Sequence, residues 1–160
     1  MARRISHPIR RMLVMAALCA GALASSAFAN MGSDDKAPDD PNLAAGRNAI
    51  EAQDWTAAIR ALEKAVASNP DSADAHNWLG FAHRKRGNYQ AAFDAYGRAL
   101  KLDPRHKGAH EYIGEAYLAT GQLAKAEAHV AELARLCSPI PCEELRQLKR
   151  AVAEYRKSNP

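Results

Sequence analysis

The sequence predicts an all-α fold, a solenoid of three helix hairpins closed by one further helix. Three observations lead there. Gly46, Gly80 and Gly114 stand 34 residues apart, and other rows keep the same interval. Trp55, Tyr89 and Leu123 form one row, Ala58, Ala92 and Ala126 a second, Leu62, Tyr96 and Val130 a third, and Ala65, Ala99 and Leu133 a fourth. A fixed period of this length marks stacked supersecondary units, each with an apolar face that only a neighbour can cover. Within a unit the apolar residues recur at helical spacing, and glycine or proline interrupts them where a hairpin must turn.

The chain begins with an export pattern. Arg3, Arg4, Arg10 and Arg11 precede an uncharged apolar stretch from Met12 to Leu23, and Ala27-Phe28-Ala29 offers a small-x-small cleavage box. This is the layout of a secretory signal peptide over residues 1–29, cut after Ala29. An uncleaved inner-membrane anchor is the alternative, because the uncharged run reaches Ala29. Of 22 Lys and Arg in the whole chain, four lie in this segment, which leaves 18 against 18 Asp and Glu. The formal charge of +4 therefore belongs to the leader, and the remainder is neutral. That removes the electrostatic reason to expect nucleic acid or acidic lipid. Residues 30–38, within the polar stretch NMGSDDKAPDDP, read as a disordered acidic linker.

The repeat units follow at 39–72, 73–106 and 107–140. In the middle one, Leu79, Gly80 and His83 share a helical face, Gly87-Asn88 breaks the helix, and Tyr89, Ala92, Phe93, Tyr96, Ala99 and Leu100 continue on a second one. Pro104 ends it, since proline lacks an amide hydrogen and clashes with the preceding turn. Small residues at Gly80 and Ala92 let the two helices approach. Residues 141–158 supply the cap: Leu145, Leu148, Val152 and Tyr155 form one stripe, and Arg146, Gln147, Lys149 and Arg150 the watered side. Glu143 and Glu144 at its start, and Arg156 and Lys157 at its end, suit the helix dipole.

The rows resemble the tetratricopeptide repeat, with its apolar, Gly, Gly, aromatic, Ala, aromatic, Ala and Pro positions. The second unit matches at Leu79, Gly80, Gly87, Tyr89, Ala92, Tyr96, Ala99 and Pro104. The first has Ala45, Ala49 and Gln53 where larger residues or Gly are usual, and the third carries Ser138 in place of Pro. The resemblance implies a right-handed α-solenoid whose first helices line a concave groove. It also implies groove residues: Leu43, Arg47 and Ile50; Asn77, Phe81 and Arg84, with Lys85 beside them; and Glu111, Glu115 and Leu118. Phe81 and Arg84 are the first candidates for partner contact, Phe81 as a large exposed aromatic. The family's clamp for a C-terminal carboxylate is not expected, because its positions hold Leu43, Arg47, Trp78, Gly108 and Tyr112.

Cys137 and Cys142 remain once Cys19 leaves with the leader, an even pair that reads as a disulfide tying the cap to the array. A redox role is the competing reading, but their spacing is wider than C-x-x-C. His106 and His110 stand four apart, and His76 and His110 are repeat-equivalent, which raises a metal site. No Cys or carboxylate completes a ligand set, so partly buried packing histidines are expected, with no metal or cofactor. Arg84-Lys85-Arg86 lacks interleaved aromatics, which argues against nucleic acid. No nucleophile–base constellation or phosphate-binding loop is present, so the chain reads as a non-enzyme. The expected function is a periplasmic adaptor binding a peptide or helix of another protein, with no membrane span after cleavage. A chaperone-like subunit of an envelope assembly process (cytochrome maturation or outer-membrane biogenesis) is the alternative. A metal- or redox-handling periplasmic protein is a second.

Overall fold

Four helix starts in this chain are closed by a side chain that accepts from first-turn amides. The computed structural model describes residues 40–159; the expected export segment and the linker lie outside the described residues. Seven helices follow: α1 (Pro41–Glu51), α2 (Trp55–Ser68), α3 (Ala73–Lys85), α4 (Tyr89–Leu102), α5 (Lys107–Ala119), α6 (Leu123–Leu136) and α7 (Glu143–Ser158). Asp40 accepts from the amide of Asn42, with Pro41 placed where a helix needs no donor. Asp54 and Ser72 accept from the amides of Ala57 and Ala75. At α5 a histidine does this work: His106 Nδ1 accepts from the Ala109 amide at 3.1 Å, so its Nε2 carries the proton and donates to Asp74. Gly87 and Gly121 end the first helix of their hairpins at φ +84° and +76°, and Gln53 holds the equivalent place at φ 56°.

The helices pair as α1–α2, α3–α4 and α5–α6, and each second helix also lies on the first helix of the next hairpin. Among the described residues, α1 touches α3 and α3 touches α5, whereas α2 and α4, or α4 and α6, do not meet. The array therefore curves toward α1, α3 and α5, and that row is its concave side.

Three glycines set the hairpin closeness. A Cβ on Gly46 would lie 2.5 Å from Leu62 Cγ, and one on Gly80 would lie 2.6 Å from the Tyr96 ring. In the third hairpin the equivalent space is filled from α7: a Cβ on Gly114 would lie 2.6 Å from Leu148 Cδ2. Helix α7 lies on both α5 and α6. Leu145, Leu148 and Val152 are buried with Leu118, Ala126 and Leu133. Cys137 ends α6 and Cys142 caps α7, with their Cα atoms 5.4 Å apart and their sulfurs within bonding distance.

Candidate concave binding surface

Helix α3 runs through the middle of the concave row and brings its aromatic residues into one cluster. Phe81 is the hub. Its ring centroid lies 4.9 Å from Tyr112 on α5, 5.8 Å from Trp78 on its own helix and 6.4 Å from Trp55 at the start of α2. One turn on, the Arg84 guanidinium lies 5.2 Å from the Phe81 centroid and 5.7 Å from that of Tyr112. Lys85 Nζ lies 5.5 Å over Phe81. Edge-on rings topped by cations form a shelf that attracts both apolar and π-bearing groups. Phe81 is half-buried in this cluster, not exposed as its position suggested. The neighbouring rings of three helices cover one of its sides.

The amino-terminal end of the row is concave and mixes apolar with charged side chains. A cavity of about 340 Å³ is lined by Ala44, Arg47, Asn48, Ile50 and Glu51 from α1 and by Trp78 from α3. Trp78 thus joins the cavity to the aromatic shelf. The carboxyl end is acidic. Arg84 Nη2 pairs with Glu115 at 2.7 Å, both partly shielded from water. Glu111 is 4% exposed, and burial, followed by the nearby carboxylates Glu115 and Glu144, pushes its pKa up to about 7.

The expected groove residues divide into three groups. Arg47, Ile50, Phe81, Arg84 and Glu115 are partly exposed on the concave helices. Asn77 and Glu111 are buried polar residues there. Leu43 and Leu118 belong to the core and present no side chain to a ligand. Leu43 is buried against Ala58, Ile59 and Leu62, and Leu118 against Leu145 and Leu148. An apolar residue at those positions gains more from the neighbouring helix than from the groove.

The histidines have structural partners. His76 Nε2 donates to the Pro70 carbonyl at 2.9 Å, and His110 Nε2 to the Pro104 carbonyl at 3.0 Å. A carbonyl only accepts, so each ring carries its proton on Nε2. His110 Nδ1 therefore offers a lone pair, which receives the Nδ1 proton of His129 at 2.9 Å. His129 stacks on Tyr117, and burial together with His110 pushes its pKa down to about 4. The sequence reading missed His129; its one signal was a polar residue where the second repeat has Ala95. Among the described residues, no group of three or more His, Cys, Asp or Glu is placed to hold a metal ion. No described helix is long and apolar enough to cross a membrane.

Two family models described as the tetratricopeptide repeat match residues 43–104 and 83–136, together more than half of the chain. A small glutamine-rich tetratricopeptide repeat-containing protein of Mycosarcoma maydis is 31% identical over 93 residues. That match takes in 58% of this chain and only 26% of the fungal protein. Among solved structures, the TPR2B domain of yeast Sti1 in complex with pHsp70 superposes with a TM-score of 0.68 at 16% identity, over 74% of this chain and 95% of that one. The Yersinia enterocolitica type III secretion chaperone SycD, bound to a peptide of the translocator YopD, gives 0.63 at 17% identity, over 73% and 88%. At such identities the likeness concerns the fold.

Proposed function

We propose that this chain, which belongs to the tetratricopeptide repeat family, is an exported adaptor that holds a peptide segment or helix of another protein on its concave face. The observation that carries this reading is the Phe81 shelf. Half-exposed aromatic area lies under Arg84 and Lys85 and continues through Trp78 into the cavity beside Ile50. Such a surface gains from burying apolar side chains and offers cations for acidic ones, without any group poised for chemistry. Like folds occur in the complex of Sti1 with pHsp70 and in that of SycD with a peptide of YopD. The leader-like Arg3 to Ala29 segment and the Cys137–Cys142 pair both favour the periplasm, where the pair would be oxidised.

Chemical crosslinking in the envelope of the native organism tests this. The full chain should capture a discrete partner, and Phe81→Ala should lose capture while retaining helical content. Because Phe81 also touches Trp55 and Tyr112, that variant should melt lower as well. Ile50→Ser, at the cavity rim, separates capture from stability. Capture unchanged in both variants defeats the groove reading, and recovery of the chain from the cytoplasm defeats export.

A further inference from the structure

One repeat position carries Ala44 in the first unit, Trp78 in the second and Tyr112 in the third. The two rings meet: Trp78 and Tyr112 have centroids 6.3 Å apart, and Phe81 joins them at 5.8 and 4.9 Å. In the first unit the row offers only a methyl group, with no ring to lay against Trp78. The cavity of about 340 Å³ opens at that place, with Ala44, Arg47, Asn48, Ile50 and Glu51 on its α1 side and Trp78 on its α3 side. A space of this size admits a side chain. The aromatic cluster thus stops at Trp78, and part of that residue faces the cavity.

A second repeat position points the same way. Ala82 and Ala116 are fully buried, whereas their equivalent Asn48 is exposed, so α1 is open where the later concave helices are closed. The lining also selects among occupants. Ala44, Ile50 and Trp78 supply apolar area, and Trp78 takes a second ring edge-on or offset. The Arg47 side chain favours a π-face over an alkyl group. Asn48 and Glu51, the exposed members of the lining, suit the hydroxyl of a tyrosine or the N–H of a tryptophan. An alkyl side chain uses only the apolar part of this set.

We propose that the cavity beside Trp78 is a subsite for one aromatic side chain, a tyrosine or tryptophan, carried by the captured polypeptide. Its ring extends the Tyr112–Phe81–Trp78 cluster onto α1, where the later units place a ring of their own. This assignment rests on the groove reading and names the side chain that anchors the partner at the amino-terminal end of the concave face.

The test uses the full chain, the NMR signal of the Trp78 indole N–H, and two small probes, N-acetyltyrosine amide and N-acetylleucine amide. The tyrosine probe should give saturable shifts, and the leucine probe should bind roughly ten-fold more weakly. Ala44→Trp puts a ring of the chain's own in the cavity; it should keep its helical content and lose the tyrosine shifts. Ile50→Ser, which leaves Ala44 and Trp78 as they are, should weaken the tyrosine probe roughly five-fold. If Ala44→Trp loses helical content, Ile50→Ser decides alone. Absence of shifts, equal binding of the leucine probe, a folded Ala44→Trp that still binds, or an unaffected Ile50→Ser overturns the subsite. In the crosslinking assay, loss of capture with Phe81→Ala but not with Ala44→Trp also overturns it while the groove reading stands. Indifference to both variants removes the two together.

Discussion

Leu148 of the last helix fills the space over Gly114 that Leu62 and Tyr96 fill over Gly46 and Gly80. The cap therefore does more than cover the end of the array; it supplies the third hairpin with its missing knob. A methyl group on Gly114 would lie 2.6 Å from Leu148 Cδ2, closer than real carbons approach. Gly114→Ala should thus destabilise the fold by about 1–3 kcal/mol, an overpacking cost. Gly97, on α4, meets nothing within 4 Å of an added Cβ, so Gly97→Ala should stabilise by roughly 0.5–1 kcal/mol. Denaturant midpoints of the two variants check this. A Gly114→Ala variant as stable as the parent means that α7 is not seated on α5.

Gln53 adopts φ 56° where the later hairpins place Gly87 and Gly121. A side chain in the left-handed region crowds the following carbonyl, which costs about 1–2 kcal/mol, while glycine costs more unfolded-state entropy. The net expectation for Gln53→Gly is a gain of roughly 0.5–1 kcal/mol, read as a raised urea midpoint at unchanged slope. A lowered midpoint would show that the first turn is held by the Gln53 side chain.

Cys137 and Cys142 enclose a loop of sequence separation 5, and one of them caps the helix that carries Leu148. Closing so short a loop contributes about 2 kcal/mol through the unfolded state. Cys142→Ser should lower the melting midpoint accordingly, and a reductant should bring the parent to the same value. Hydrogen exchange should quicken in α7 first, because α1 to α4 make no contact with it. Equal stability of parent and variant would mean that the cysteines are reduced, or that the α7 seat is held by Leu145, Leu148 and Val152 alone.

The hairpins, their turns and the Leu145–Leu148–Val152 stripe were legible because each is a spacing along the chain. The aromatic shelf was not, since Trp55, Phe81 and Tyr112 come from α2, α3 and α5 and meet only across the stack. Positions carried over from the family located the concave helices but not the burial of each side chain. Leu43 and Leu118 went to the core because apolar groups at these positions have a neighbouring helix to meet. Phe81 was legible as a residue of a concave helix, but the rings that half-bury it were not. The Gly114–Leu148 contact was hidden for a related reason: the periodic partner is Val130, and the cap displaces it.

Glu111 and His129 give the stability opposite slopes with pH over nearly the same range. The Glu111 pKa rises from its ordinary 4.5 to about 7 on folding, so the native state holds a proton there that the unfolded chain has lost. Its contribution is full below about 4.5 and disappears as the pH climbs through 7. His129 falls from 6.5 to about 4, so its contribution is full above 6.5 and disappears as the pH drops through 4. Each effect alone amounts to about 3 kcal/mol, and the two oppose each other. His83, which burial also holds below its ordinary pKa, adds to the rising arm, so the parent profile should be flatter than that of either variant from about pH 4.5 to 6.5. Glu111→Gln removes the falling arm, and its stability should rise with pH across that interval. His129→Gln keeps an N–H for His110 Nδ1 but removes the titration, and its stability should fall. Urea midpoints measured at a series of pH values decide the matter. A parent profile as steep as either variant would show that one of the two groups keeps its ordinary pKa in the fold.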